Sequence, residues 1–243
     1  MITSLTNDFV KYLDKLKHKK YRDKEQKFIV EGEHLVEEAQ KNNILEKVVI
    51  VEGFSYNTDK ELIIVSEEVM KKISSLDSPP KIIGLCKMMA KNNIGNKILI
   101  LDDVQDPGNL GTIVRSSVAF NIDTIILSKN TVDLYNQKVI RSTQGMIFHI
   151  NIIRDDLVEI IKKLKDENYS IYTTDVDEGI NLKDIERSEK FALIMGNEGN
   201  GVKEEIANLA DKKINIKINS QVESLNVAVA TSIILYEFGK YQL

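Results

Sequence analysis

Residues Lys97 to Phe120 read KILILDDVQDPGNLGTIVRSSVAF, an apolar run, a turn and a helical pattern in direct succession. KILILDD reads as a short strand, and NLGTIVRSSVAF as a helix. Between them Asp106-Pro107-Gly108 is a turn, because proline fixes φ and glycine is free to take positive φ. Asn109 stands where a helix N-cap belongs, and capping alone would explain it. Leu110, Ile113, Val114, Ser117 and Val118 share one helix face. Arg115 lies off that face, on the side of Gly111, where a missing side chain lets a backbone or a ligand approach the guanidinium. A lone helix arginine is ordinarily a solvated one. The place shifts the balance, since ligands of open α/β sheets bind beyond the carboxyl ends of the strands.

The same alternation continues outward. DTIILS, FHINII, YSIYTT, FALIM and KINIKI suggest strands, and NQKVIRST, DLVEIIKKLKDE, VKEEIANL and SLNVAVATSIILYEF suggest helices. Such a series means an α/β domain with a mostly parallel sheet, here over residues 97–243. The last helix is apolar around nearly its whole circumference, which implies burial on all sides, either inside the chain or at a subunit interface. Upstream, AKNNIGN reads as a linker over about 90–96. Residues 1–90 form a smaller α/β series: an amphipathic helix over Thr3 to Lys17, a strand KFIVEG, a helix EHLVEEAQK, strands KVVIV and ELIIV, a helix SEEVMKKISS opened by Ser66, and a final strand in SPPKIIGLCKM.

Two further segments carry polar residues in unusual company. MGNEGNG, residues 195–201, follows the apolar run FALI. Its glycines do not fit G-x-G-x-x-G, no Lys-Ser/Thr pair closes it, and Glu198 at its centre would repel a phosphate. Closely spaced glycines around an acid suit a loop that meets a hydroxyl-rich or cationic ligand through its backbone, or a tight turn whose acid faces a helix N-terminus. In INSQVESLNVAVA, Ser224 is a good N-cap for the last helix. Asn226 lies among Leu225, Val227 and Val229, where a polar amide needs a partner, structural or ligand.

Composition bounds the class. The chain has 243 residues, 42% hydrophobic and 29% charged, as soluble globular proteins do. One cysteine excludes an internal disulfide framework, three scattered histidines give no metal site support, and no signal peptide or membrane-length run is present, so a cytoplasmic protein is expected. Net charge is −4, yet eight basic residues stand against three acidic ones between Lys11 and Lys27. Lys19, Lys20 and Arg22 lie in that cluster, which suits RNA phosphates or a solvated helix face.

Taken together, DPGNLGTIVRSSVAF, MGNEGNGV and IKINSQVESLNVAVA resemble, in order and spacing, the three motifs of the SpoU (TrmH) family of RNA 2′-O-ribose methyltransferases in the SPOUT superfamily. FIVEGEHLVEEA is similar to the small substrate-binding domain that precedes the catalytic domain in many members. The resemblance implies S-adenosyl-L-methionine as methyl donor, a homodimer formed by the SPOUT domain, and a C-terminal trefoil knot around the cofactor pocket. Asn109, Arg115, Glu198, Ser224 and Asn226 match the family's catalytic positions, and Gly196, Ile216 and Leu225 match positions that line the cofactor. Two departures are visible: Ile216-Lys217-Ile218 replaces the usual Ile-Pro-Met, and Asn121 replaces a common glycine. The implied substrate is structured RNA, with 23S rRNA ahead of tRNA. A non-catalytic RNA-binding relative is the alternative, and a Rossmann-type oxidoreductase is disfavoured by the missing glycine fingerprint.

Overall fold

In a computed structural model, residues 1–90, 92–176 and 178–239 are described. Lys91 of the expected linker and residues 240–243 at the end of the expected catalytic domain lie outside the described residues. The chain divides into two compact units, one of Met1–Ala90 with Asp133–His149 and one of Lys91–Val132 with Ile150–Leu243.

The first unit begins with α1 (Asp8–Lys15), shorter than the expected helix over Thr3 to Lys17. Asn7 stops it at the front by accepting from Phe9 N at 2.9 Å, and Leu5 stays exposed. A second helix that the sequence does not announce, α2 (Lys19–Glu25), follows. Then come β1 (Lys27–Glu31), α3 (Glu33–Lys41), β2 (Leu45–Val51), β3 (Glu61–Val65), α4 (Glu67–Ile73) and β4 (Ile82–Lys87). Ser66 caps α4 as expected, accepting from Val69 N. The four strands form one sheet in the order β1-β4-β2-β3, with only β2 and β3 parallel. Its inward side is a core of Ile29, Val49, Ile83 and Leu85 against Leu13, Val69 and Ile73 of α1 and α4.

Residues 133–149 also belong to this unit, which corrects their placement in the catalytic series. Gln137 donates to Ile29 O at 2.9 Å, Tyr135 Oη accepts from Met89 N at 3.2 Å, and Phe148 packs against Phe28. Glu38, buried on α3, accepts from His149 at 2.7 Å and Lys41 at 2.8 Å.

The second unit contains β5 (Lys97–Leu101), α5 (Pro107–Ala119) and β6 (Thr124–Leu127); α6 (Gln137–Thr143) lies in the excursion just described. After it come β7 (Asn151–Arg154), α7 (Leu157–Asp166), β8 (Ser170–Thr174), β9 (Ile180–Asn181), β10 (Phe191–Met195), α8 (Glu204–Ala207), β11 (Lys212–Asn215) and α9 (Val227–Gly239). The strand expected in FHINII starts only at Asn151, because Met146–His149 is a 3₁₀ turn. The strand expected in KINIKI and the helix expected from Ser224 are likewise shorter than their apolar patterns.

Seven strands form one sheet in the order β7-β6-β5-β10-β8-β11-β9, and every pair is parallel. The apolar runs ILIL, TIIL and FALIM are buried along their whole length, as parallel strands covered on both faces require. From β5 the chain steps to β6 and β7 on one side, then places β8 beyond β10 on the other. The reversal sets a crevice at the carboxyl ends of β5 and β10. Leu101 and Met195 are in register there, so the segments that follow them leave the sheet side by side.

Candidate active site

The helix after β5 is capped by Asp106, not by Asn109. Asp106 accepts from Asn109 N at 2.8 Å and Pro107 takes the first helical turn, where its missing N–H is no loss. Asn109, one turn in, therefore has its side chain free for another task. Its Nδ2 donates to Glu198 at 3.0 Å, while its Oδ1 accepts from Asn226 Nδ2 at 2.9 Å. Three segments far apart in sequence are joined by one chain of side-chain hydrogen bonds.

Glu198 is the hub of that chain. Besides Asn109 it accepts from Asp106 N at 3.0 Å and Gln105 N at 3.2 Å. The acid does sit at a helix N-terminus, that of α5. Partial burial would raise its pKa, but the hydrogen bonds from Asn109 and the backbone outweigh burial and hold the carboxyl below the ordinary glutamate value. Asn226 caps α9 in place of the expected Ser224: its Oδ1 accepts from Ala228 N at 2.9 Å and Val229 N at 3.3 Å. One amide thus sets the start of α9 and fixes Asn109.

The glycine loop takes its shape from Asn197. The backbones of Asn197 and Gly201 exchange two hydrogen bonds of 2.9 and 3.0 Å, and Asn197 Oδ1 accepts from Gly199 N and Asn200 N. At Gly196 the crossing is so close that a Cβ would collide with the backbone of Gly201 and Val202.

A cavity of about 400 Å³ opens between this loop and the stretch from Ile214 to Ala230. Gly196, Glu198, Ile216, Ser224 and Leu225 all line it. Its walls are largely aliphatic, from Ile214, Ile216, Ile218, Leu225 and Val227, and its charged lining groups are the carboxylates of Asp175 and Glu198. No described lysine or arginine lines it, so a polyphosphate would find no countercharge. Apolar walls, backbone polar groups and two acids suit an uncharged or cationic nucleoside.

Arg115 is not brought to this cavity within the chain. It is exposed on α5 and has no hydrogen-bond or ion-pair partner among the described residues. Its helix packs on α9, joined by Ser116 and Ser232 at 2.7 Å and by the rings of Phe120 and Tyr236. α9 itself is not buried all round by its own chain. Val229 and Tyr236 are each 48% exposed and Ile233 is 37% exposed, an apolar stripe at helical spacing.

In the first unit, Lys19 and Lys20 are exposed, with Lys19 paired to Asp23. Arg22 departs from the expectation of a phosphate contact. It is 4% exposed, and its guanidinium donates to Leu16 O at 2.8 Å and Lys17 O at 2.6 Å and pairs with Asp133. Arg22 is a structural brace. Arg22→Ala is expected to destabilise the protein by about 2–3 kcal/mol, seen as a lower urea midpoint, because two carbonyls and a carboxylate lose their partner.

Sequence reasoning misses Asp102, Asp103, Lys203 and Asn197, which hold the loop to the end of β5. Paired aspartates after a strand are too common a pattern to mark them.

A family model described as the SpoU rRNA Methylase family matches residues 96–236, and one described as an MRM3-like substrate binding domain matches residues 7–84. The chain is 38% identical over 241 residues to the 23S rRNA (guanosine(2553)-2′-O)-methyltransferase RlmP of Bacillus subtilis, covering 97% of each protein. The AdoMet-bound rRNA methyltransferase from Sinorhizobium meliloti aligns with a TM-score of 0.88 and 29% identity, over 100% of this chain and 98% of that one. The SpoU methyltransferase AviRb from Streptomyces viridochromogenes, in complex with AdoMet, shares the fold with a TM-score of 0.86 and 20% identity, over 97% and 98% of the two chains.

Proposed function

The chain belongs to the SpoU rRNA methylase family of S-adenosylmethionine-dependent RNA 2′-O-ribose methyltransferases, and from that premise we propose that its substrate is a guanosine ribose of 23S rRNA. The observation that carries the substrate is the 38% identity running the full length of a 23S rRNA enzyme, with no part of either chain left over beyond a few per cent.

Gly196, Ile216 and Leu225, with the apolar walls around them, would hold S-adenosylmethionine, which when bound would supply an activated methyl group. The chain's own residues do the rest. Glu198, ionised at neutral pH, fixes Asn109, and Asn109 with Asn226 and Ser224 positions the ribose beside the cavity mouth. Arg115 orients an RNA phosphate and stabilises the negative charge that develops on the 2′-oxygen. A guanidinium keeps its proton in proteins, so the 2′-hydroxyl proton passes to solvent water as the oxygen–methyl bond forms and the methyl–sulfur bond breaks. The remaining acceleration comes from holding two substrates together.

A homodimer belongs to the same reading. The stripe of Val229, Ile233 and Tyr236 offers a second copy an apolar face, and Arg115 lies on the helix that packs beside it. A second subunit is what would bring Arg115 to a cavity it does not reach in its own. The C-terminal knot is supported by the path of the chain: after β11 is laid next to β8, Ile216, Ile218, Ser224 and Leu225 line the same cavity as residues 196–202, and α9 returns to α5. RNA gripping is assigned to the first unit, where Lys19 and Lys20 remain exposed, and catalysis to the second, residues 97–132 and 150–243. No helix among the described residues is long and apolar enough to cross a membrane, which suits a cytoplasmic enzyme.

Mapping 2′-O-methylation in cells with and without this gene tests the substrate. One ribose of 23S rRNA is expected to lose its methyl group. Loss at a tRNA site alone would move the substrate to tRNA, and an unchanged map in all RNA would leave a non-catalytic relative.

A further inference from the structure

The loop that forms one wall of the cavity is closed on itself by Asn197 and tied to α5 by Glu198, but those bonds do not fix where it leaves and rejoins the sheet. Residues 196–201 contain three glycines, and every residue from Glu198 to Gly201 is exposed. Flexible backbone of this kind samples many conformations unless something outside it selects one. Two anchors do so at the end of β5. Asn197 Nδ2 donates to Asp103 O at 2.8 Å. Beyond the loop, Lys203 donates through its backbone N to Asp102 at 2.9 Å, and its ammonium reaches Asp102 at 3.1 Å and Asp103 at 2.6 Å.

The arrangement is costly to build, which argues against accident. Asp102 is 1% exposed, and a buried carboxylate needs a charge partner; among the described residues that partner is Lys203. Asp103 has φ +58°, a left-handed conformation unusual outside glycine, asparagine and aspartate. It is held there by Ser128, which donates at 2.6 Å and accepts from Asp103 N at 2.9 Å, and by Asn130 at 3.2 Å. The left-handed turn aims its carboxylate at the lysine. Burial would raise the Asp103 pKa, but Lys203, Ser128 and Asn130 together bring it below the usual range, so the pair is fully charged at neutral pH.

We propose that Lys203 is a positioning residue for the cofactor, an ion-pair clamp on Asp102 and Asp103 that holds residues 196–202 in the one shape that completes the cavity. This rests on the assignment of that cavity to S-adenosylmethionine. Lys203 does not line the cavity, so it acts through the loop. When the clamp is absent the loop is competent only part of the time, and apparent affinity falls by that fraction.

The test is calorimetric titration of the full-length protein with S-adenosylhomocysteine, alongside steady-state methyl transfer. Lys203→Met is expected to raise the dissociation constant about tenfold, and in turnover the loss should fall on KM for the cofactor more than on kcat. Lys203→Arg should restore affinity to within about threefold, since it keeps the charge. Asp102→Asn in the Lys203→Met background should recover part of the affinity, because it removes the orphaned charge. Should Lys203→Met fold poorly, Asp103→Asn tolerates the same left-handed backbone and weakens the clamp from the other side, with an expected rise of a few fold. Wild-type affinity in Lys203→Met or in Asp103→Asn overturns the clamp, as does an equal loss in Lys203→Arg. Failure of the wild-type protein to bind S-adenosylhomocysteine would instead overturn the cofactor assignment.

Discussion

Replacing Arg115 with alanine is expected to slow single-turnover methyl transfer by about 10³-fold while leaving cofactor affinity within about twofold of the wild-type value. The expectation follows from where the side chain is. It is exposed, it has no hydrogen-bond or ion-pair partner among the described residues, and it does not line the cavity. A residue so placed contributes little to folding, so its removal should spare stability and cofactor binding. What it can contribute is a fixed positive charge for a phosphate and a forming oxyanion. Arg115→Lys should recover only a minor part, because a point charge lacks the planar fork that grips phosphate through two hydrogen bonds. Rapid-quench transfer of a labelled methyl group from saturating cofactor measures the step directly. A rate near wild type would remove Arg115 from the reaction.

Glu198→Ala should be nearly as damaging, for a different reason. The carboxylate accepts from Gln105 N, Asp106 N and Asn109 Nδ2, and Asn109 in turn is the acceptor for Asn226. Its loss frees the entry to α5 and the two amides together, with an expected fall in kcat/KM of about 10²-fold. Glu198→Gln should not rescue, since one of its two terminal atoms would present hydrogens to N–H donors. A pH signature accompanies the role. The folded-state pKa of Glu198 is depressed, so its contribution to stability is fully present above the unfolded value of about 4.3 and is lost as pH falls through the lower folded value. Urea unfolding between pH 7 and pH 3 should therefore show a shallower acid decline in Glu198→Ala than in the wild type. An identical decline in both proteins would mean that the hydrogen bonds at Glu198 carry no linkage.

Much of this site is legible in the amino-acid sequence alone, and the parts that are not have identifiable causes. The strands can be read because runs such as ILIL, TIIL and FALIM have no partner but a buried parallel sheet. The cavity residues Gly196, Ser224, Ile216 and Leu225 are named by motif resemblance, and the cavity does collect them. Helix α2 is hidden because its one buried residue is Arg22, so it carries no apolar period. The same residue misleads a reading of the basic cluster, since a buried, triply bonded arginine looks in sequence like a solvated one. Two caps fail, in opposite directions along the chain. Asn109 and Ser224 are both fit to cap, but Asp106 and Asn226 lie at the actual helix starts, and which of two eligible neighbours wins depends on the path of the preceding loop. The clamp of Lys203 is invisible in sequence because its partners are 100 residues away or more.

The excursion of residues 133–149 into the first unit has a consequence for how the protein is made. A nascent chain that has emerged only as far as Ala90 cannot finish its first unit. Arg22 still lacks Asp133, Ile29 O lacks its donor from Gln137, and Glu38 lacks His149. Completion waits until His149 has cleared the exit tunnel, and by then β5 and β6 are already outside with β10 still untranslated. Domains usually fold as units, the N-terminal one first, during synthesis. Here an uncovered first sheet and a half-built second one must coexist on the ribosome, the first until His149 emerges and the second until Met195 does.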